Sequence, residues 1–263
     1  MATSKNRTRL LGMSGLPRSL TLVRHAQSVA NVADQEARER GAGRLDIDIR
    51  DADVELSDNG KRQADALARW FAAAAPTDRP TLVLSSPYRR AFDTARRVVR
   101  DTGVELIADE RLRERDLGVL DGLTGKGIRE EYADEAARRK KVGKFYYQPP
   151  SGESWADVVL RVRSFLSDLE PAIGPAFGDA RLWVFTHQAV IMSFRYVLEG
   201  LSEPELLEVD REVDIGNVSL TTYDRTDEGL TLSRFADASI VEDAEADVTH
   251  EASSSEVHEG ADA

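Results

Sequence analysis

Cysteine is missing from all 263 residues, which excludes a disulfide framework, a thiolate metal site and a cysteine nucleophile. A chain of this length can bury a full core without such staples. Long apolar runs are missing too. The longest, Trp70 to Ala75, is mostly alanine and falls far short of the roughly 20 residues a bilayer span requires. The basic N-terminus (MATSKNRTRLLGMSGLPRSL) lacks the apolar stretch of a secretory signal, so a cytoplasmic protein without a membrane partner is expected. No His-x-His or His-Glu-x-x-His spacing occurs, which argues against a metal centre. Asp46, Asp48, Asp51 and Asp53 resemble a calcium loop only superficially, since Arg50 and Asp51 fill a ligand position and the turn-glycine position. Gly125-Lys126-Gly127 lacks the leading glycine and trailing hydroxyl of a phosphate-binding loop. Both stretches are expected to be solvated loops.

Positive charge is in short supply, with 35 Lys+Arg against 47 Asp+Glu and a net charge of −12. The excess is local. From Ala236 to Ala263 there are nine acidic residues and no Lys or Arg, and without that stretch the net charge is −3. Such a segment, rich in Ala, Ser, Asp and Glu, cannot bury enough apolar surface to offset its ordering entropy. With no basic surplus, nucleic acid is not an expected partner. The expected organisation is a flexible N-terminus over 1–18, one domain over 19–235, and a disordered acidic tail over 236–263, dispensable for chemistry.

Within the domain, short apolar runs at Ser19–Val23, Thr81–Leu84 and Leu182–Phe185 read as strands. Helical periodicity follows each, over Ser57–Ala74, Tyr88–Asp101 and Ala189–Leu198, with Ile128–Lys140 and Trp155–Leu169 in between. Val218–Tyr223 and Leu230–Phe235 read as a closing pair of strands. Strands alternating with helices imply an α/β domain, a three-layer sandwich with a mainly parallel central sheet.

The residues after the strands carry the chemistry. The first runs into Arg24-His25, the second into Ser85-Ser86-Pro87-Tyr88-Arg89-Arg90, the third into Thr186-His187-Gln188. Ligands of open α/β sheets bind outside the carboxyl ends of the strands. Here that rim gathers two histidines and at least two arginines, next to helix N-termini whose N–H groups add positive field. It suits a dianionic phosphoryl group. His250 and His258 lie in the tail and receive no role.

Leu22-Val23-Arg24-His25-Ala26-Gln27-Ser28 with Asn31 resembles the signature of the histidine phosphatase superfamily, the phosphoglycerate-mutase-like family. Further likenesses follow in the family's order: Leu56-Ser57 to Ala64, Ser85-Ser86-Pro87 to Ala95, Leu112-Arg113-Glu114 to Gly118, Gly152-Glu153-Ser154, and Thr186-His187-Gln188 to Ile191. The resemblance implies the phosphoglycerate-mutase-like fold and roles for particular residues. His25 would be the nucleophile that becomes a phosphohistidine. Arg24, Arg90 and His187 would surround the phosphate, Glu114 would be general acid and base, and Asn31 and Gln188 would contact the substrate. Arg115 and Lys144 are further substrate-binding candidates, Lys144 within a basic cluster with Arg138, Arg139, Lys140 and Lys141 that reads either as a solvated helix end or as a grip for a second anionic group. No cofactor or metal is implied, and a homodimer is left open. Ala26 stands where the family usually has Gly, and an ordinary backbone conformation is expected there.

The implied function is a phosphomonoester hydrolase acting on a small phosphorylated metabolite. A cofactor-dependent phosphoglycerate mutase is the alternative, and a catalytically inactive phospholigand-binding module a weaker one. The 38 residues from Glu114 to Gly152 look too short for a mutase lid. Lys144-Phe145-Tyr146-Tyr147 and His187-Gln188-Ala189-Val190 resemble fructose-2,6-bisphosphatase. Gly125 and Met192 depart from it, standing where those enzymes carry a Tyr and an Arg that bind the substrate.

Overall fold

The computed structural model describes residues 15–242 and Thr249. In chain order the elements are β1 (Ser19–Arg24), α1 (Val29–Glu39), α2 (Asp58–Ala73), β2 (Leu82–Ser85), α3 (Arg89–Val99), β3 (Leu106–Ala108), α4 (Gly125–Glu131), α5 (Ala133–Val142), α6 (Trp155–Ile173), β4 (Arg181–Thr186), α7 (Gln188–Arg195), α8 (Glu203–Glu212), β5 (Leu220–Thr226), β6 (Gly229–Asp237) and α9 (Ser239–Glu242). Six strands form one sheet in the order β3-β2-β4-β1-β5-β6. Pairing is parallel from β3 through β1 and antiparallel at β5 and β6. The expected α/β sandwich with a mainly parallel sheet is what forms.

The layers follow from side-chain alternation. Successive strand residues point to opposite faces. On one face Leu182 and Val184 of β4 join Leu20 and Leu22 of β1 against Val158, Val162, Phe165 and Leu166 of α6. On the other, Trp183 and Phe185 join Val23 and Val83 against Leu67 and Phe71 of α2 and Ala95 and Val98 of α3. Central strands buried on both faces read as continuous apolar runs, which is why they were legible.

Caps fix where the helices begin. The Ser57 hydroxyl accepts from Gly60 N at 2.9 Å, starting α2, and Ser154 forms a capping box with Asp157 at the start of α6. Gly60 lets α2 sit directly on the chain after His25: a Cβ there would lie 1.9 Å from the Gln27 carbonyl oxygen.

Two expectations are corrected. The helix expected over Ile128–Lys140 breaks at Tyr132, whose φ −133 and ψ 48 separate α4 from α5. Gly125-Lys126-Gly127 is no solvated loop; both glycines are buried in the first turn of α4, which is capped by Thr124. Next to the expected domain bounds of 19 and 235, Pro17 is buried and Arg18 N donates to Ala180 O at 2.8 Å, while β6 runs to Asp237 and α9 inserts Ile240, 6% exposed, into the core beside α2. Averaging charge over 28 residues hid that one apolar anchor. Residues 1–14 and the rest of the expected tail, Thr249 apart, lie outside the described residues. Among the described residues no helix is long and apolar enough to cross a membrane.

Ile240→Ala is expected to remove about 2–3 kcal/mol of stability, the usual loss for truncating a buried aliphatic side chain. Urea melts check it. A loss under ~0.5 kcal/mol, the range of surface substitutions, would mean Ile240 belongs to a solvated tail.

Candidate active site

Parallel register assembles the site. Arg24 lies opposite Thr186, so His25 and His187 leave β1 and β4 at the same level. His25 N donates to Thr186 O at 3.0 Å, and the two rings stand 5.0 Å apart between centroids. Both residues are buried, with 2% and 0% exposure. Neighbouring β2 supplies Ser86, which donates its N–H to Phe185 O at 2.9 Å and offers its hydroxyl to His187 Nε2 at 2.8 Å.

Hydrogen bonding decides which ring nitrogens are active. His25 Nδ1 lies 2.8 Å from the Ala26 carbonyl oxygen. A carbonyl only accepts, so Nδ1 carries the hydrogen and Nε2 keeps its lone pair. Ser86 Oγ accepts from Tyr88 N at 3.2 Å and lies 2.8 Å from His187 Nε2. The other ring nitrogen, His187 Nδ1, is buried without a hydrogen-bond partner, 4.0 Å from Glu114 Oε2. Burial first, then the Arg90 charge, holds both histidines well below the ordinary 6.5, with Arg24 adding to the shift. Both are neutral at physiological pH.

The two arginines are buried and held differently. Arg24 donates to Ile215 O. Arg90, in the first turn of α3, donates to the Asp51 carboxylate at 2.8 and 3.3 Å and to Asp51 O at 2.7 Å, and lies 5.2 Å over the Tyr88 ring. Asp51 is therefore a partner of the site and not a solvated loop residue. Its signal in the sequence was an acidic residue with no other use, which spacing arguments cannot assign.

Glu114 is partly exposed, and its Oε1 accepts from Arg115 N at 2.7 Å. The loop behind it hangs on Glu153, which accepts from Arg113 at 2.6 Å and from Arg161 at 3.0 and 3.1 Å. Arg161 also donates to Glu114 O at 3.3 Å. Neither Arg161 nor the bracing use of Glu153 was anticipated.

The other substrate-binding candidates separate. The Asn31 side chain closes the capping box of α1, accepting from Ser28 N and Oγ at 3.0 Å each. Gln188 opens α7 with a buried Oε1 that has no hydrogen-bond partner. Of the basic cluster, Arg138, Lys140 and Lys141 are exposed, while Arg139 and Lys144 turn inward toward Arg115. Burial, and then Arg139, lowers the Arg115 pKa to about 10. Lys144 pairs with buried Asp210 and lies 5.6 Å over the Trp155 ring.

Residues 20–238 match the histidine phosphatase superfamily (branch 1). The chain belongs to that superfamily. It is 35% identical over 183 residues to a 6-phosphofructo-2-kinase/fructose-2,6-bisphosphatase of Caenorhabditis elegans, covering 69% of this chain and 34% of the relative. It is 34% identical over 170 residues to a glucosyl-3-phosphoglycerate phosphatase of Mycobacterium tuberculosis, covering 62% and 65%. The chain thus spans a third to two thirds of the length of these relatives. The native structure of a mycobacterial glucosyl-3-phosphoglycerate phosphatase superposes with TM-score 0.66 at 28% identity, covering 84% of this chain and 99% of that one.

Two backbone features complete this histidine phosphatase site. Ala26, buried at 0% exposure, is not among the positive-φ residues Asp101, Ser151, Val218 and Ala236, so its methyl group is unstrained. Val218 at φ 62 is the reverse case. A side chain in the left-handed region costs about 1–2 kcal/mol. The turn is held because Val218 N donates to Arg24 O at 3.1 Å and Ser219 O accepts from Arg24 N at 3.3 Å.

Depressed histidine pKa values make the fold acid-sensitive. Below 6.5 the unfolded chain takes up protons that folded His25 and His187 refuse, so stability present above 6.5 is lost as pH falls toward the folded pKa values. Each histidine contributes up to about 1.4 kcal/mol per pH unit in that window. Urea melts at pH 7.5 and 5.5 should show a shallower dependence for a His25→Gln/His187→Gln variant than for wild type. Equal slopes would mean the histidines titrate as in water.

Proposed function

We propose that the chain is a phosphomonoester hydrolase that passes the phosphoryl group of a small phosphorylated metabolite through His25. The observation that carries this reading is the pair of buried, neutral imidazoles at adjacent strand ends, flanked by Arg24 and Arg90, with Glu114 beside His187. His25 Nε2 attacks the phosphorus. The N–P bond forms as the ester P–O bond breaks, and the leaving oxygen takes a proton from the Glu114 carboxyl. Glu114, now a carboxylate, removes a proton from water as its oxygen attacks the phosphohistidine. The N–P bond breaks, inorganic phosphate leaves and the imidazole is regenerated. Charge spread over the equatorial oxygens of the transition state is met by two permanent guanidinium charges and by His187. These groups supply charge and proton transfer without a Lewis acid, so metal independence belongs to the same proposal.

The substrate is proposed to carry a second anionic group. Arg115, Arg139 and Lys144 converge beside Glu114, Glu153 and Asp210. The relatives named above are named for a glucosyl-3-phosphoglycerate, with a carboxylate beside its phosphate, and for a fructose bisphosphate. Met192, however, is wholly buried in the core, and Gly125 has no side chain to offer, so the fructose ester itself is not the substrate we propose. The 38-residue span from Glu114 to Gly152 favours water over a second substrate oxygen as phosphoryl acceptor, hence hydrolase over mutase.

Two outcomes test this. Incubation with a phosphoester panel in excess chelator should release phosphate and leave an acid-labile, alkali-stable label on His25; His25→Ala should abolish both, and Glu114→Gln should slow release at least 100-fold by the scale of general acid–base catalysis. Turnover in His25→Ala, or loss with chelator, would sink the mechanism. Arg115→Met should raise KM roughly tenfold or more for esters bearing a second anion, the worth of one charged hydrogen bond, and much less for p-nitrophenyl phosphate. Equal effects on both would remove the second grip.

A further inference from the structure

The three residues that set the nucleophile are hydrogen-bonded at every turn. His25 N donates to Thr186 O, Ala26 N donates to Thr94 Oγ1 at 3.1 Å, and Gln27 O accepts from Ser57 N at 3.0 Å. Two side-chain amides hold the remaining groups. Asn217 Nδ2 donates to His25 O at 2.8 Å, and Gln63 Oε1 accepts from Gln27 N at 2.8 Å. Both amides are fully buried.

An amide side chain works only in one of its two orientations. Turned over, Asn217 would present oxygen to the His25 carbonyl, and Gln63 would present NH2 to the Gln27 N–H. Both contacts would become repulsive. A single hydroxyl bridges the far ends of both and reinforces these orientations. Thr249 Oγ1 donates to Asn217 Oδ1 at 2.9 Å and accepts from Gln63 Nε2 at 3.0 Å. The Thr249 carbonyl also accepts from Asn217 N at 2.9 Å. A hydroxyl has one hydrogen, and here it goes to the Asn217 oxygen while a lone pair meets the Gln63 NH2. Each amide therefore keeps its correct face toward the backbone on either side of His25.

Thr249 lies beyond the residues that match the superfamily, 20–238. It also belongs to the acidic segment that composition alone marks as dispensable. We propose that Thr249 is a positioning residue for catalysis: its hydroxyl locks Asn217 and Gln63 so that the His25 backbone, and with it Nε2, stays in line with the phosphorus. The proposal rests on His25 being the nucleophile. Phosphoryl transfer depends on alignment more than on covalent chemistry of the protein, so loosening this clamp should be felt in the chemical step and not in ground-state binding.

The experiment compares Thr249→Val, which keeps the shape and removes the hydroxyl, with Thr249→Ser, which keeps the hydroxyl, both in the full chain. The probe is p-nitrophenyl phosphate or the best ester of the panel. Thr249→Val should lower kcat by about tenfold, the rate equivalent of ~1.4 kcal/mol, with KM changed less than about twofold. Single-turnover formation of phospho-His25 should slow to the same degree. Thr249→Ser should restore both rates to within about twofold of wild type. Assays run well below each variant's Tm, with rates expressed per phosphorylatable His25, so a merely structural role would lower Tm and leave these rates intact. Unchanged kcat in Thr249→Val, or a Thr249→Ser variant as slow as Thr249→Val, would overturn the proposal. His25→Ala separates the two readings: if it still turns over, the mechanism itself is wrong, whereas an inactive His25→Ala beside a fully active Thr249→Val removes only the clamp.

Discussion

Arg24 and Arg90 both act on His25, pushing its protonation further down than burial alone does. A nucleophilic imidazole has to be neutral, so in the proposed mechanism this arrangement would supply the reactive form without a separate base. It also sets a problem for the rest of the chain. Two buried guanidiniums need polar partners, yet partners that cancelled their field would return the histidines to ordinary behaviour and leave nothing to hold a phosphoryl dianion. Arg24 donates to the Ile215 carbonyl, and Arg90 takes the Asp51 carboxylate from a partly exposed loop. That carboxylate has to give way, or be shared, when a phosphate reaches Arg90.

That demand explains why so much of the site was readable from the sequence and why certain parts were not. Strand-end positions are fixed by the alternation of apolar side chains, and Leu20, Leu22, Leu182 and Val184 put Arg24-His25 and Thr186-His187 on one rim whatever the loops do. The candidates there came together as the pattern implied. Short or polar elements did not announce themselves. β3 is three residues on the sheet edge, and α1 buries only Ala37, so neither has the periodicity that identifies an element. Asp51, Arg161 and Asp210 were opaque for another reason: each acts through a partner dozens of residues away, and a charged residue with a distant partner looks like any solvated charge. Ile240 and Thr249 were hidden by averaging, because net charge over an acidic segment masks individual contact residues within it.

In the proposed mechanism a second constraint runs through Glu114, which would have to reach the leaving oxygen from a 3₁₀-rich loop with little core of its own. Its position derives from α6. Glu153 sits just before the N-cap Ser154, and Arg161 follows two turns later on the same helix, so one rigid element presents both halves of the brace. Arg161 then donates to Arg111 O at 2.6 Å and to Glu114 O, tying the loop backbone to the helix on either side of Leu112, which is itself fully buried. The carboxylate is thus held at its backbone and left partly exposed at its tip. A group that must exchange a proton with both an alcohol and a water needs that combination of anchorage and access.

The cations beyond Glu114 extend the same logic from the reacting phosphoryl group to the rest of the substrate. Burial and mutual repulsion make Arg115 and Lys144 less willing to hold their charges than in water, and Asp210 is bonded to Lys144 alone among the three. In the proposed function a second anion entering such a cluster would relieve that repulsion. Energy released there, away from the bond that breaks, can be used to fix the ester against His25 Nε2, which is how remote contacts raise kcat and not only affinity. The Lys144 ammonium, lying over Trp155 and against Asp210, is less exposed to that exchange than Arg115, whose Nε donates only to the Glu153 carbonyl at 2.9 Å. In the proposed reading, discrimination between substrates would therefore fall to the Arg115 guanidinium, one residue along the chain from the proposed acid, Glu114.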